Sequence, residues 1–333
     1  GQYANSIAIG HKAAKYNQES NAVAIGCRAG QSTQGSESVA IGPEAGLADQ
    51  GRWAVAIGTQ AGKTGQNAFS VAIGAYTGLT AQGTYAVAIG QNAGQTEQNG
   101  YSVAVGYYAG YDTQGSHSVA IGPEAGRLDQ NEHSVAVGHY AGRNSQKQYS
   151  VAIGNSAGYD IQGTYSVAIG SEAGRTDQKA FSVAIGNEAG KTDQNVFSVA
   201  IGAYTGFAAQ GSYAIAIGNQ AGQLVQKGHS VAVGHSAGYA AQGSRSVAIG
   251  PQAGQTYQNE HSVAIGNQAG STSQKQHSVA IGPEAGLTDQ NVFSVAIGAG
   301  AGQTDQGRYS VAIGYHAGFS NQGDGASGGS SIA

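Results

Sequence analysis

Histidines at a fixed spacing are the first side chains in this chain that could carry chemistry. His117 and His133 are sixteen residues apart, as are His261 and His277, so a repeat of that length places each pair side by side. Imidazole nitrogens bind transition metals, and two adjacent histidines could share one ion. No acidic residue recurs beside both pairs in a fixed arrangement, so the sequence predicts no metal site.

Aspartates recur at the same spacing in a second position. Thr, Arg or Lys often lies nearby, which indicates a solvated, charge-balanced turn. Calcium-binding nonapeptides, phosphate-binding loops and nucleophile motifs do not occur. We therefore expect no catalytic residue, no cofactor and no enzymatic activity. These aspartates are Asp49, Asp129, Asp177, Asp193, Asp289 and Asp305.

Threonines fill a third recurring position, and flat solenoids with regular rows of hydroxyls can bind ice. The row is interrupted by Asp112, Leu128, Asp160 and Ala208. An incomplete single row makes ice binding only a minor alternative. Its members are Thr64, Thr80, Thr96, Thr176, Thr192, Thr256, Thr272, Thr288 and Thr304.

Planar side chains share a fourth position. Rings repeated at the spacing of β-strands can stack, so this column predicts an aromatic stripe. Two interpretations stay open: the rings seal a corner of the fold, or they form a contact surface for sugar rings or a neighbouring fibre. The rings of the stripe are Trp53, Phe69, Tyr85, Tyr101, Tyr149, Tyr165, Phe181, Phe197 and Tyr213, with histidines and Arg245 at other repeats.

Glutamine occupies a fifth position at every sixteenth residue from Gln2 to Gln322. Stacked amides can pass hydrogen bonds from one strand to the next, or can satisfy the backbone of a turn. A ligand site rarely needs so many identical copies, so we expect a structural ladder. Gln50, Gln66, Gln82, Gln98, Gln114 and Gln130 represent it.

The element that positions all these columns is the motif Ser-Val-Ala-Ile-Gly, whose glycine falls at every sixteenth residue from Gly10 to Gly314. Sixteen residues cannot hold the two helices of a helical repeat, and 56 glycines disfavour helices. The sequence predicts an all-β parallel β-solenoid, or β-roll, of about twenty coils. We expect one solenoid over residues 1–323 and a Gly/Ser-rich tail or linker over 324–333.

Alternation within the motif predicts which side chains face inward. Val and Ile lie two residues apart on one face of the strand, and we expect them to form a dry interior. The alanine between them never varies, which indicates close packing against the coil's second sheet or another protomer. We therefore expect a homo-oligomer or polymer.

Composition excludes several classes of function. The net charge is −4 and only 10% of residues are charged, so we expect no nucleic-acid partner. The sequence contains no apolar run long enough to cross a membrane, so we expect no membrane span. Cys27 is the single cysteine, which fits an extracellular setting. The chain starts within a repeat, so we expect it to be cut from a longer protein or docked end to end on another subunit.

Ser-Val-Ala-Ile-Gly-x-x-Ala, as in residues 150–157, resembles the head repeats of trimeric autotransporter adhesins. That resemblance implies a parallel β-roll that trimerises on a bacterial surface and binds host matrix. The longer unit, with Ala-Gly and Gln-Gly, is similar to repeats of bacteriophage and algal-virus fibres and of bacterial surface proteins.

We expect a structural segment of an extracellular fibre or filament that assembles end to end or as a bundle, with adhesive use of the aromatic stripe. The alternative is an adhesin head or viral tail-fibre shaft that contacts a receptor or surface glycan. Either function implies a cell-surface, extracellular or virion location.

Overall fold

The chain folds as an all-β parallel β-solenoid, seen in a computed structural model that describes residues 2–323. No helix occurs among the described residues. Each strand pairs in register with the strand sixteen residues further on, as in Val39↔Val55 and Ala40↔Ala56. The predicted fold and repeat length are confirmed. The predicted tail at 324–333 lies outside the described residues.

Two compact units divide the chain, residues 1–165 and 166–333. Each contains a main sheet of parallel three-residue strands, and short second strands that end at the glutamine column. The main sheet of the first unit comprises Ile7–Ile9, Val23–Ile25, Val39–Ile41, Val55–Ile57, Val71–Ile73, Val87–Ile89, Val103–Val105, Val119–Ile121, Val135–Val137 and Val151–Ile153. Its second strands are Tyr16–Gln18, Ser32–Gln34, Ala48–Gln50, Thr64–Gln66, Thr80–Gln82, Leu128–Gln130 and Asn144–Gln146.

The second unit repeats this plan with fewer second strands. Its main sheet comprises Val167–Ile169, Val183–Ile185, Val199–Ile201, Ile215–Ile217, Val231–Val233, Val247–Ile249, Val263–Ile265, Val279–Ile281, Val295–Ile297 and Val311–Ile313. Its second strands are Ala209–Gln210, Val225–Gln226 and Ala241–Gln242.

Glycines set the two corners that follow each main strand. At Gly42, where φ is +123°, an added Cβ would lie 2.7 Å from the carbonyl oxygen of Gly58 in the next coil. At Gly46, where φ is +51°, it would lie 2.7 Å from Gln50 Oε1. Both positions combine a positive φ with a close approach, so each requires glycine.

The interior is built from alanine, serine and glutamine, and the prediction that Val and Ile fill it was wrong. Ala40 and Ala45 are fully buried, whereas Val39 and Ile41 on the same strand are only partly covered. The reason is the short distance between the two walls of the coil. The Cβ of Ala40 lies 3.3 Å from the position that a Cβ on Gly46 would take. An interior this thin has no room for a branched side chain, so the invariant alanine packs within its own coil.

Candidate functional site

The Val and Ile columns form an exposed apolar face on each unit. Ile89, Ile121 and Ile153 are 38%, 40% and 39% exposed. Ten strands about 4.8 Å apart, each presenting two residues outward, make a strip about 43 Å long and about 7 Å wide. Its projected area is about 300 Å², which is within the range of the largest apolar patches on monomeric proteins, and such patches are often functional. We call this strip the Val/Ile face.

The aromatic column of the first unit forms a continuous row of stacked rings, the aromatic ladder. Neighbouring ring centroids lie 4.6 to 5.1 Å apart and adjacent planes differ by at most 21°. At one end, the guanidinium of Arg52 lies 4.3 Å from the Trp53 ring, and Trp53 Nε1 donates to Glu37 at 3.0 Å. The eight rings are Trp53, Phe69, Tyr85, Tyr101, His117, His133, Tyr149 and Tyr165.

Arg245 divides the equivalent column of the second unit. Four rings, Phe181, Phe197, Tyr213 and His229, stack before it at 4.9 to 5.1 Å. Four more stack after it at 4.9 to 5.4 Å, namely His261, His277, Phe293 and Tyr309. Within the first unit the column therefore holds eight successive rings, and within the second unit Arg245 separates two groups of four.

Every ring of the ladder sits on a residue with a left-handed backbone. Trp53, Phe69 and Tyr101 have φ of 57°, 61° and 59°, a conformation that costs a bulky residue about 1–2 kcal/mol. Each stacked pair returns about 0.5–1.5 kcal/mol. Asn5 and Asn21 hold the same position at φ of 58° and 59°. Because the two effects nearly cancel and asparagine suits the turn, stability alone does not explain the rings.

The ladder presents ring edges to solvent. Its rings in the first unit are nearly parallel and about 5 Å apart, so both faces of an internal ring lie against its neighbours. Among its six Trp, Phe and Tyr rings, exposure ranges from 36% at Trp53 to 56% at Tyr101. A sugar ring packs on a free aromatic face, and the ladder offers such faces poorly.

The glutamine column lies inside the coil and its amides are used there. Gln82 Nε2 donates to Val71 O at 2.8 Å and to Gln98 Oε1 at 3.1 Å. Gln98 continues the pattern to Val87 O and Gln114 Oε1. Each amide thus links two coils and ties the main sheet to the opposite wall. Gln50 Oε1 accepts no hydrogen bond, which marks a gap in the ladder after Gln34. All six predicted glutamines, Gln50, Gln66, Gln82, Gln98, Gln114 and Gln130, are buried.

A cluster of arginine and tyrosine in the first unit was missed by the sequence reasoning. Arg127 Nη1 and Arg143 Nε both donate to Glu124 Oε2 at 2.9 Å, and Arg143 Nη1 donates to Tyr159 Oη at 3.0 Å. The Arg127 guanidinium lies 5.2 Å from the ring of Tyr108. Hydrogen bonding to Glu124 and the nearby charge outweigh burial and raise the pKa of Arg143. The signal was Arg127 and Arg143 in one column of the repeat.

A network of ion pairs occupies the corresponding surface of the second unit. Lys191 Nζ lies 2.7 Å from Glu172 Oε2 and 2.8 Å from Glu188 Oε2. The hydrogen bond from Lys191, opposed by partial burial, lowers the pKa of the Glu172 carboxyl. Hydrogen bonds to Glu172 and Glu188 raise the pKa of Lys191. The network balances charge on an otherwise weakly charged surface.

The remaining candidate columns are engaged within the fold. Thr64, Thr96 and Thr192 Oγ1 donate to backbone carbonyls of the next coil at 3.2 Å, so these hydroxyls are not aimed at solvent as a row. His117 and His133 stack at 5.0 Å in nearly parallel planes, as do His261 and His277. Asp49 and Asp129 are the middle residues of the second strands Ala48–Gln50 and Leu128–Gln130, with positive φ, so the predicted turn position was wrong for them.

Cys27 is exposed, with its Sγ 4.0 Å from His11 Nδ1. Among residues 2–323, no three His, Cys, Asp or Glu side chains come together as a metal site. The same residues include no helix of the length and apolarity needed to span a membrane.

Two segments of the chain, residues 80–93 and 258–285, match the family model of the YadA head domain repeat. They include Tyr85 of the aromatic ladder and Gln258 and Gln274 of the glutamine column. No curated protein matches the chain. Together with the parallel β-solenoid, the match shows that the chain resembles trimeric autotransporter adhesin heads, and it indicates an adhesin-like surface protein.

Proposed function

We propose that the chain is a non-catalytic structural segment of an adhesin-like extracellular fibre, in which copies associate through the Val/Ile face. The observation that carries this proposal is the outward position of two apolar columns on every main strand. Ile121 and Ile153 stay about 40% exposed although the sheet repeats without a break within the unit. A surface of this kind is covered in a working assembly.

The size of the face explains why a long repeat would be used. Burying about 300 Å² of apolar surface yields about 7.5 kcal/mol at 25 cal/mol per Å². Association costs about 4–15 kcal/mol before any net affinity appears. One short solenoid would therefore associate weakly, whereas each added coil adds apolar contact without repeating the cost of association.

Self-association side by side also agrees with the family match, because YadA-type head repeats form homotrimers. End-to-end assembly into a filament is a further mode that the parallel coils permit, since a terminal coil presents unpaired strand groups.

Sedimentation velocity of the purified chain tests the proposal. We expect a discrete oligomer at micromolar concentration, and dissociation when Val119→Lys and Ile121→Lys are combined on one strand of the Val/Ile face. Val225→Lys is the matched control, because Val225 is 46% exposed but lies away from this face. A wild-type chain that stays monomeric, or a control that dissociates equally, would contradict the proposal. Electron microscopy then separates filaments from discrete bundles.

A further inference from the structure

We propose that the aromatic ladder of the first unit binds elongated planar aromatic molecules, neutral or singly cationic, which lie along the row of rings. The inference does not depend on self-association, because the ladder and the Val/Ile face are separate columns. The first observation in its favour is the unfavourable left-handed backbone conformation of the residues that carry the rings. Bulky residues hold a left-handed turn that Asn5 and Asn21 fill without rings, so stability does not account for eight rings in succession.

The shape of the row defines the ligand. Stacking turns ring faces toward one another, and a straight line of ring edges, partly exposed, is left for solvent. The face of another conjugated π system can pack edge-to-face on this line. A flat, conjugated molecule that covers four or five rings is about 15 to 20 Å long. Compact sugars match this line less well.

Charge around the ladder favours a neutral or cationic molecule. Two formal charges immediately precede rings of the row, those of Arg52 and Glu132. Arg52 lies at one end, 4.3 Å from the Trp53 ring, whereas Glu132 is exposed within the row, next to His133. The whole chain has a net charge of −4. An anion that lies along the rings from Phe69 to Tyr165 would meet the negative charge of Glu132, which would attract a single positive charge.

Thioflavin T, a rod-shaped aromatic cation, is a suitable probe, with its fluorescence titrated against the full chain. Tyr101→Asn divides the eight rings into rows of three and four, and a row of four is only the shortest that spans the dye, so we expect dye emission to fall by more than half. Asparagine fits this turn, and circular dichroism and urea unfolding verify that the variant is folded. Arg245→Tyr joins the two rows of the second unit into nine rings, and we expect emission to rise about twofold.

Tyr257→Asn is the matched control. Tyr257 is 65% exposed at a φ of 55° but lies outside the ladder, so its loss should leave emission unchanged. The Val119→Lys, Ile121→Lys variant should bind the dye normally even if it no longer self-associates. Emission that survives Tyr101→Asn, or that disappears with the lysine variant, would overturn the assignment to the ladder. Binding of a glycan that is lost in Tyr101→Asn while the dye is unaffected would also overturn it.

Discussion

The glutamine column and the aromatic column run through the same coils but follow opposite rules. Inside, Gln82 and Gln98 are fully buried, and no other residue type replaces glutamine in the column. Outside, Trp53, Tyr101 and His133 share a column with Arg245 and Asn21. Both columns repeat at one side chain per coil, so spacing alone does not cause the difference.

Hydrogen bonding explains the contrast. Along Gln82, Gln98 and Gln114 each amide donates to a carbonyl and to the next amide and accepts from the previous one, a set of bonds that only glutamine makes at this length. The outer column needs only a flat side chain that stacks. A buried polar ladder therefore fixes residue identity, whereas an exposed ring ladder leaves identity open for function.

Replacement of a glutamine in the inner column should give the largest effect. Gln98→Leu keeps a similar volume but leaves Gln114 Oε1 buried without a partner, and it removes one hydrogen bond each from Val87 O and Gln82 Nε2. A buried group without a partner costs about 1–3 kcal/mol and each lost hydrogen bond about 0.5–1.5 kcal/mol, so we expect a loss of about 2 to 6 kcal/mol. Urea unfolding combined with hydrogen exchange of the neighbouring coils measures the change.

Gln95→Leu in the same repeat is the control for this substitution. Gln95 is only partly buried and donates to Asn92 Oδ1 at 3.3 Å. We expect a change below about 0.5 kcal/mol for this surface site. Equal losses for the two variants would mean that burial in the ladder does not set the requirement for glutamine.

Substitutions on the two faces of one main strand should give the next largest effect on stability. Ala104 is fully buried, and its Cβ lies 3.2 Å from where a Cβ on Gly110 would be. Ala104→Val overfills this space and should cost about 1–3 kcal/mol. The reverse change next to it, Val103→Ala, should cost less in the monomer and weaken self-association instead. Thermal unfolding and sedimentation separate the two outcomes, and a larger thermal loss for Val103→Ala would reverse our assignment of inside and outside.

The repeat length, the parallel register and the glutamine column could all be read from the sequence, because each follows from exact sixteen-residue periodicity. Which face of the main strand is buried could not be predicted in the same way. A period of two separates Ala40 from Val39 and Ile41 without saying which set is buried. The answer depends on the distance between the walls near Gly46, which is a tertiary property. The alanine that never varies indicated the buried face, but the larger apolar side chains of Val and Ile favoured the opposite, wrong prediction.

The Arg127 and Arg143 cluster was missed for a related reason. Tyr108 contacts Arg127, which lies nineteen residues later, that is, one coil of sixteen residues plus three positions. Predicting this contact requires a comparison of two different columns of the repeat. The eight-ring row, by contrast, follows from a single column. Its edge-on presentation depends on how the rings tilt after stacking, which periodicity does not specify.

Replacement of a ring in the outer column should change stability little. Tyr149 stacks on His133 and Tyr165 at 5.0 and 4.9 Å, with φ of 57°. Tyr149→Asn removes two stacked pairs but relieves a strained backbone, so we expect a net change within about 1 kcal/mol. Urea unfolding measures it against Gln98→Leu. A loss as large as that of Gln98→Leu would show that the ladder is mainly structural.

The smallest effect should come from the ion pairs of the second unit, and it should depend on pH. Lys191 lowers the pKa of Glu172, so the pair stabilises the fold above the ordinary glutamate pKa of about 4.3 and the gain is lost as pH falls through the lower, folded value. Lys191 has a raised pKa, so its own contribution is lost only as pH rises through that raised value.

We expect Glu172→Gln to lower stability by about 0.5 kcal/mol at pH 7 and by nearly nothing at pH 3, since partly exposed pairs are weak. Urea unfolding midpoints at the two pH values measure the difference. Asp177→Asn removes the same charge from the more exposed pair with Lys179, whose separation is 3.4 Å, and should change the midpoint less at pH 7. If the loss of stability in Glu172→Gln is the same at pH 3 as at pH 7, the carboxylate contributes through packing rather than through its charge. The surface network would then depend on steric fit, as the interior does.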